Sequence, residues 1–270
     1  ILSVSGLTLL SFVTNDIVTI KVGNLVLPPT TRPTVSNFIL STTDDGYPVD
    51  VNNSVGFTAR VATITQVDPL LLSAGAVVGG ASTYTISFKN KNPIPADGKF
   101  LITLPADGKI IISDQNNIQL NTRLLLNGTS NLVSVSINSA PIPQTIGFSN
   151  PTLVTIPLNT NITINIPSLR NPLSTESTSS FQILTSTSDN YPIDTITSNL
   201  NLPANLISPS NFRTIVLAPS SLETGVLTSY LLTMIPEIDH SSTDQLILRL
   251  SSEIGFDSTV RCQILTIPNS

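Results

Sequence analysis

Few residues in this chain are of types that do chemistry. The single histidine, His240, lies in PEIDHSSTDQ beside Asp239 and just ahead of Ser241 and Ser242. A serine, histidine and aspartate working together must converge from separate loops on a water-excluding site, and neighbours along one loop cannot supply that geometry. His240 therefore reads as a solvated loop side chain, and the expectation is a protein that is not an enzyme. The single cysteine, Cys262, has no histidine near it, and its flank STVRCQILTI alternates like a strand. It suits a buried strand thiol or, since it has no partner cysteine within the chain, an intermolecular disulfide.

Two acidic turns come next: Asp44-Asp45-Gly46 with Asp50, and Ser188-Asp189-Asn190 with Asp194. Carboxylates grouped in this way can bind calcium, but that ion takes about six to eight oxygens, more than either turn offers. The same residues suit plain hairpin turns, where Asp or Asn tolerates a positive φ and bonds its own backbone. No HExxH, no Cys or His cluster, no GxGxxG and no GxxxxGK[ST] occurs, so no metal, dinucleotide or phosphate cofactor is expected. Three sequons are candidates for N-glycosylation: Asn52-Asn53-Ser54, Asn127-Gly128-Thr129 and Asn161-Ile162-Thr163. Asn127-Gly128 is the best placed, because Asn-Gly favours an exposed tight turn.

The bulk composition narrows the function further. Charged residues make up only 11% of the 270 while hydrophobic residues hold at 40%, so the chain is neither disordered nor coated with charge, and Ser, Thr and Asn must supply its polar surface. The net charge is −5 and Lys and Arg are scattered, which leaves no basic stripe for nucleic acid. Runs of Ile, Leu and Val are interrupted every few positions, and no transmembrane helix is expected. Residues 1–13 read as strand and not as a signal peptide, so the expectation is an internal or processed fragment.

Positioning falls to strands. Tyr84, Ile86 and Phe88, then Val133, Val135 and Ile137, then Ile162, Ile164 and Ile166, then Leu246, Leu248 and Leu250 alternate with polar residues, a period of two with one face buried. Turn clusters rich in Gly, Pro and Asn separate the runs, and the whole chain reads as β; the only helical candidate window is residues 235–252. Tyr84, Ile86, Phe88, Val133, Val135, Ile162 and Ile164 are the expected inward positions.

Internal repetition organises these strands. Residues 19–50 recur 144 positions later as 163–194, with Thr19, Ile20, Leu25, Ile39, Leu40, Tyr47, Pro48 and Asp50 matched by Thr163, Ile164, Leu169, Ile183, Leu184, Tyr191, Pro192 and Asp194. STYTISF (82–88) and KFLITLP (99–105) recur 146 positions later as TSYLLTM and QLILRLS. The expected organisation is a complete β-sandwich repeat over residues 65–207, the second half of a repeat over 1–64 and the first half of a further one over 208–270. Many short strands in a repeat of about 144 residues fit a tandem immunoglobulin-like array.

The phrase FQILTSTSDNYPID (181–194), echoed as FILSTTDDGYPVD (38–50), resembles a recurring segment in large repetitive surface proteins of ciliates and other protists. A strand like KFLITLP followed by a cysteine-bearing strand is similar to the first half of their repeats. The resemblance implies an extracellular string of β-sandwiches. The expected function is a structural subunit of a glycosylated filament or cell-surface stalk, with copies of itself as partners, joined head-to-tail through complementary half-domains. The alternative is an adhesin or carbohydrate-binding module, which an exposed aromatic platform would favour; the chain has no Trp and four Tyr. Either the half-domains complement one another between separate chains or they are parts of a longer polypeptide. In the first case Ile20, Val22, Leu246 and Leu248 become buried between copies, whereas ends that lie solvated or fold back onto residues 65–207 would remove the basis for a filament. Tyr47 and Tyr191 are expected at equivalent places.

Overall fold

A computed structural model describes residues 17, 19–34, 38–44, 47–240 and 244–255. The chain divides into two compact units, Ile1–Ser210 and Asn211–Ser270. The expectation of an all-β fold holds, with one short helix among the described residues as the exception.

In the first unit, β1 (Phe38–Asp44) and β2 (Tyr47–Val55) form an antiparallel hairpin of their own. The strands that follow build two six-stranded sheets. The first runs in the order β10 (Val135–Asn138), β11 (Thr145–Ser149), β6 (Lys99–Thr103), β13 (Gln182–Ser186), β14 (Pro192–Ile196) and β3 (Ala62–Thr63). The second is ordered β4 (Leu71–Leu72), β5 (Ala81–Lys89), β12 (Asn161–Arg170), β8 (Arg123–Leu126) and β9 (Thr129–Leu132), with β7 (Ile111–Ile112) beside β12.

Strict alternation places one face of each sheet in a shared core. Along β5, Tyr84, Ile86 and Phe88 are buried, as are Ile162, Ile164 and Ile166 along β12 and Phe100 and Ile102 along β6. Val133 and Val135 are buried too, so all seven inward positions expected from the sequence are inward. Tyr84 meets Phe181 with ring centroids 5.8 Å apart, in the tilted geometry aromatic pairs favour. The two sheets thus fit a β-sandwich. Strand β12 ends in a bulge between Ile166 and Leu169, where Pro167 cannot donate to a ladder and Ser168 adopts φ +54°.

The helix departs from the sequence reading. Helix α1 (Gln115–Asn121) begins at Asp114, whose carboxylate accepts the Asn117 N–H at 3.0 Å, and it buries Ile118. It is too short to give a helical period, with one apolar side chain turned inward. Within the 235–252 window, by contrast, there is no helix among the described residues. No helix among the described residues is long and apolar enough to cross a membrane.

Among the described residues of the second unit, β15 (Phe212–Pro219) and β16 (Tyr230–Pro236) form an antiparallel hairpin. Beyond it, residues 244–255 form no strand.

Candidate functional site

The sequence candidates fall in three places. The first is a polar cleft of about 350 Å³ at one end of the second sheet, lined among others by Gln66, Asp68, Lys89, Asn127, Asn161 and Thr163. Asn127 and Gly128 form the two-residue turn between β8 and β9, with φ of +47° and +87°, the two positive values that a type I′ turn demands and Asn-Gly accepts. Asn127 is exposed, and its side-chain oxygen accepts the Asn161 N–H at 3.1 Å, so the amide nitrogen that would carry a sugar is not the atom engaged there. Asn161 is also exposed at the start of β12, but the hydroxyl of its sequon residue Thr163 lies 2.9 Å from Ser87 Oγ. Asn52 is exposed on β2. Both β12 and the β8–β9 turn thus bring sequon asparagines to one cleft, which spacing along the chain did not suggest.

The second place is the turn joining β13 to β14. Asn190 takes φ +64°, Asn190 N–H donates to Thr187 O at 3.0 Å, and Tyr191 N–H donates to Thr187 Oγ1 at 3.1 Å, the self-capped turn the sequence allowed. The Lys99 ammonium donates to Ser188 O at 2.6 Å and to Asn190 Oδ1 at 3.0 Å, placing a protein cation on oxygens that a calcium ion would need. Asp189 is exposed. Asp194 is fully buried and takes no part in the turn. Its carboxylate accepts from Lys91 N–H at 2.9 Å, Asn92 N–H at 3.0 Å and Asn92 Nδ2 at 2.8 Å. That clamp ties β14 to the loop after β5, and it is the site feature the sequence did not disclose. Its repeat counterpart Asp50 is exposed and accepts from Thr42 Oγ1 at 3.1 Å. Asp45 lies outside the described residues, as does the Asp44 side chain. Among the described residues no three acidic, His or Cys side chains gather as a metal site.

The third is the loop after β16. His240 Nδ1 lies 3.3 Å from Asp244 Oδ2, four residues on, with the two side chains 48% and 50% exposed. The structure thus gives His240 a loop aspartate as neighbour, and Asp244 rather than Asp239. Ser241, Ser242 and Cys262 lie outside the described residues.

Comparison with known proteins adds little. No protein-family model matches the chain, and no curated protein matches it. A solved structure titled "AvmM Catalyzes Macrocyclization in Alchivemycin A Biosynthesis" aligns over 75% of this chain and 98% of that one, at 8% identity and a TM-score of 0.23. At that score the likeness supports no argument about fold or chemistry.

Proposed function

We propose that this chain is a non-enzymatic structural subunit of an extracellular, glycosylated filament or cell-surface stalk. It is built of tandem immunoglobulin-like repeats of about 144 residues and is joined head-to-tail through complementary half-domains. One observation carries the proposal. The runs that the two halves of a repeat supply, 82–105 and 163–194, recur in sequence at 228–251 and 19–50, one half toward each end of the chain, although Ile20 and Leu248 are 48% and 53% exposed in the single chain against 0% for Ile164 and Ile102. A head-to-tail contact uses two different surfaces, and such heterologous contacts propagate into fibres unless the rotation closes a ring. The Asn127 turn offers the sugar attachment point, and the resemblance to protist surface repeats supports an extracellular site.

Negative-stain imaging of material purified from its source, with the peptide mass at Asn127 measured alongside, tests this. Fibres with a regular axial period and a glycan on Asn127 are expected. Monodisperse single particles over a wide range of concentration would overturn the filament.

The polar cleft beside Asn161 favours a second reading, a carbohydrate-binding module in which Asp68, Lys89 and the asparagines hydrogen-bond a sugar. Titration with oligosaccharides distinguishes it: saturable binding lost in Asp68→Ala would favour the module, and flat titrations the structural subunit.

A further inference from the structure

Within residues 65–207 the two halves of the expected repeat already show how they join. Strand β12, from the second half, pairs antiparallel with β5, from the first, opposing Thr163 to Ser87, Ile164 to Ile86 and Ile166 to Tyr84. Strand β13, from the second half, pairs with β6, from the first, opposing Ile183 to Ile102 and Thr185 to Phe100. Among the described strands β16, counterpart of β5, pairs only with β15, and β1, counterpart of β13, pairs only with β2. Residues 19–22, counterpart of β12, and 245–249, counterpart of β6, form no strand.

We propose that neighbouring copies of this chain complete a sandwich by pairing these strands in the register of the intact one. Residues 19–22 of one copy add to the free edge of β16 in a second copy, opposing Thr19 to Thr233, Ile20 to Leu232 and Val22 to Tyr230. Residues 245–249 of the second copy add to β1 of the first, opposing Ile39 to Leu248 and Ser41 to Leu246. This deepens the filament reading and rests on it.

Three local features of the terminal segments already match their intact counterparts. Asn24 takes φ +60°, and its counterpart Ser168, at the bulge within β12, takes +54°. In the hairpin of β4 and β5, Ser73 N–H donates to Thr83 O at 3.0 Å and Thr83 N–H to Ser73 Oγ at 3.2 Å. The hairpin of β15 and β16 makes the same two bonds at Ser229, the counterpart of Thr83, with Ser220 one position beyond the counterpart of Ser73: Ser220 N–H to Ser229 O at 2.8 Å and Ser229 N–H to Ser220 Oγ at 3.1 Å. Among the described strands the edge of β16 away from β15 therefore corresponds to the edge of β5 that β12 occupies. The side chains suit the register as well. Ser87 and Thr163 touch through their hydroxyls at 2.9 Å on the outer face, and their counterparts Thr233 and Thr19 are both hydroxylic. Of the inward pairs, Ile20 with Leu232 and Ile39 with Leu248 are apolar, while Ser41 opposite Leu246 repeats the hydroxyl of buried Thr185 opposite Phe100. Unpaired strand edges beside such residues are ready templates for strand addition.

Cross-linking tests the register, because directly opposed strand residues lie within disulfide reach and their neighbours face the other way. Two chains carrying Cys262→Ser, one with Thr19→Cys and one with Thr233→Cys, are mixed and oxidised, then run on a non-reducing gel. A covalent dimer is expected from the mixture, at least about tenfold above that from Thr19→Cys mixed with Met234→Cys. Ile20→Asp and Leu248→Asp should each abolish association measured by sedimentation. Association without the Thr19 to Thr233 preference would overturn the proposed register and leave the filament reading standing. A chain carrying both cysteines that closes on itself as a monomer would overturn the second copy as occupant. Absence of any association at millimolar concentration would overturn the register and the filament together.

Discussion

Two buried polar side chains, Tyr84 and Asp194, hold the sandwich together at points where apolar packing alone would leave groups unpaired. Tyr84 donates its hydroxyl to Asn171 Oδ1 at 2.9 Å, and Asn171 spends its amide on Val77 O at 2.7 Å and Ser82 Oγ at 2.9 Å. Burial pushes the Tyr84 hydroxyl well above the usual phenol range. Because the folded state then keeps a proton that the unfolded state releases, the stabilisation is full below the unfolded value, near pH ~10, and declines as pH rises beyond it. Tyr84→Phe should flatten that alkaline decline and lower stability at neutral pH by about 1–3 kcal/mol, since Asn171 Oδ1 is left unpaired. Urea melts at neutral pH and above ~10 read both effects. Asp194 permits a sharper contrast with its exposed counterpart. Removing a buried carboxylate strands two backbone N–H groups, at about 1–3 kcal/mol each, so Asp194→Ala should cost at least about 2 kcal/mol. Asp50→Ala in an isolated chain should stay within about 0.5 kcal/mol, as for surface sites generally. Equal losses in the two melts would contradict the assignment of the clamp to Asp194.

Among the elements, hairpins with related sequences differ in a way that neighbouring strands explain. In the β13–β14 hairpin Leu184 opposes Thr195, and Asp194 N–H donates to Thr185 Oγ1 at 3.1 Å. In the β1–β2 hairpin Leu40 opposes Asn52, and Asp50 N–H donates to Thr42 Oγ1, also at 3.1 Å. The same lock is made one residue along, so Tyr47 and Tyr191 stand at related but not identical points of two similar hairpins. Register is pinned where one face is buried, as for β13 between β6 and β14, and is weakly specified in a two-stranded sheet. Helix α1 is held by its Asp114 cap together with buried Ile118 and the Thr122 bonds to Ile118 O. Asp114→Ala should cost about 1 kcal/mol, and a shift of the urea midpoint without a change of slope would show that the loss is one of stability alone.

For the molecule as a whole, the sandwich of residues 62–207 encloses its own core, whereas the terminal segments leave apolar side chains in solvent. Anything that binds the folded state adds stability that grows with its concentration. If copies complete one another, unfolding of the terminal segments should shift to higher temperature as protein concentration rises, while the melting of the central sandwich stays fixed. Scanning calorimetry over a hundredfold range of concentration measures this, and two concentration-independent transitions would count against assembly.

The alternation of Tyr84, Ile86 and Phe88, and of Ile162 and Ile164, was enough to assign strands and their buried faces, because a period of two has one geometric consequence wherever it is extended. Asn127-Gly128 likewise announced its turn, since few other pairs tolerate two positive φ angles in succession. The sequence also carried the recurrence of residues 19–50 at 163–194. Tertiary structure alone decided the rest. Asp194 meets Lys91 and Asn92 across about a hundred residues, and Lys99 reaches the turn at Ser188 over a similar separation. Such contacts depend on which strands become neighbours in a sheet, here β6 with β13 and β5 with β12, and that order is set by packing of the whole core and not by any local pattern of residues.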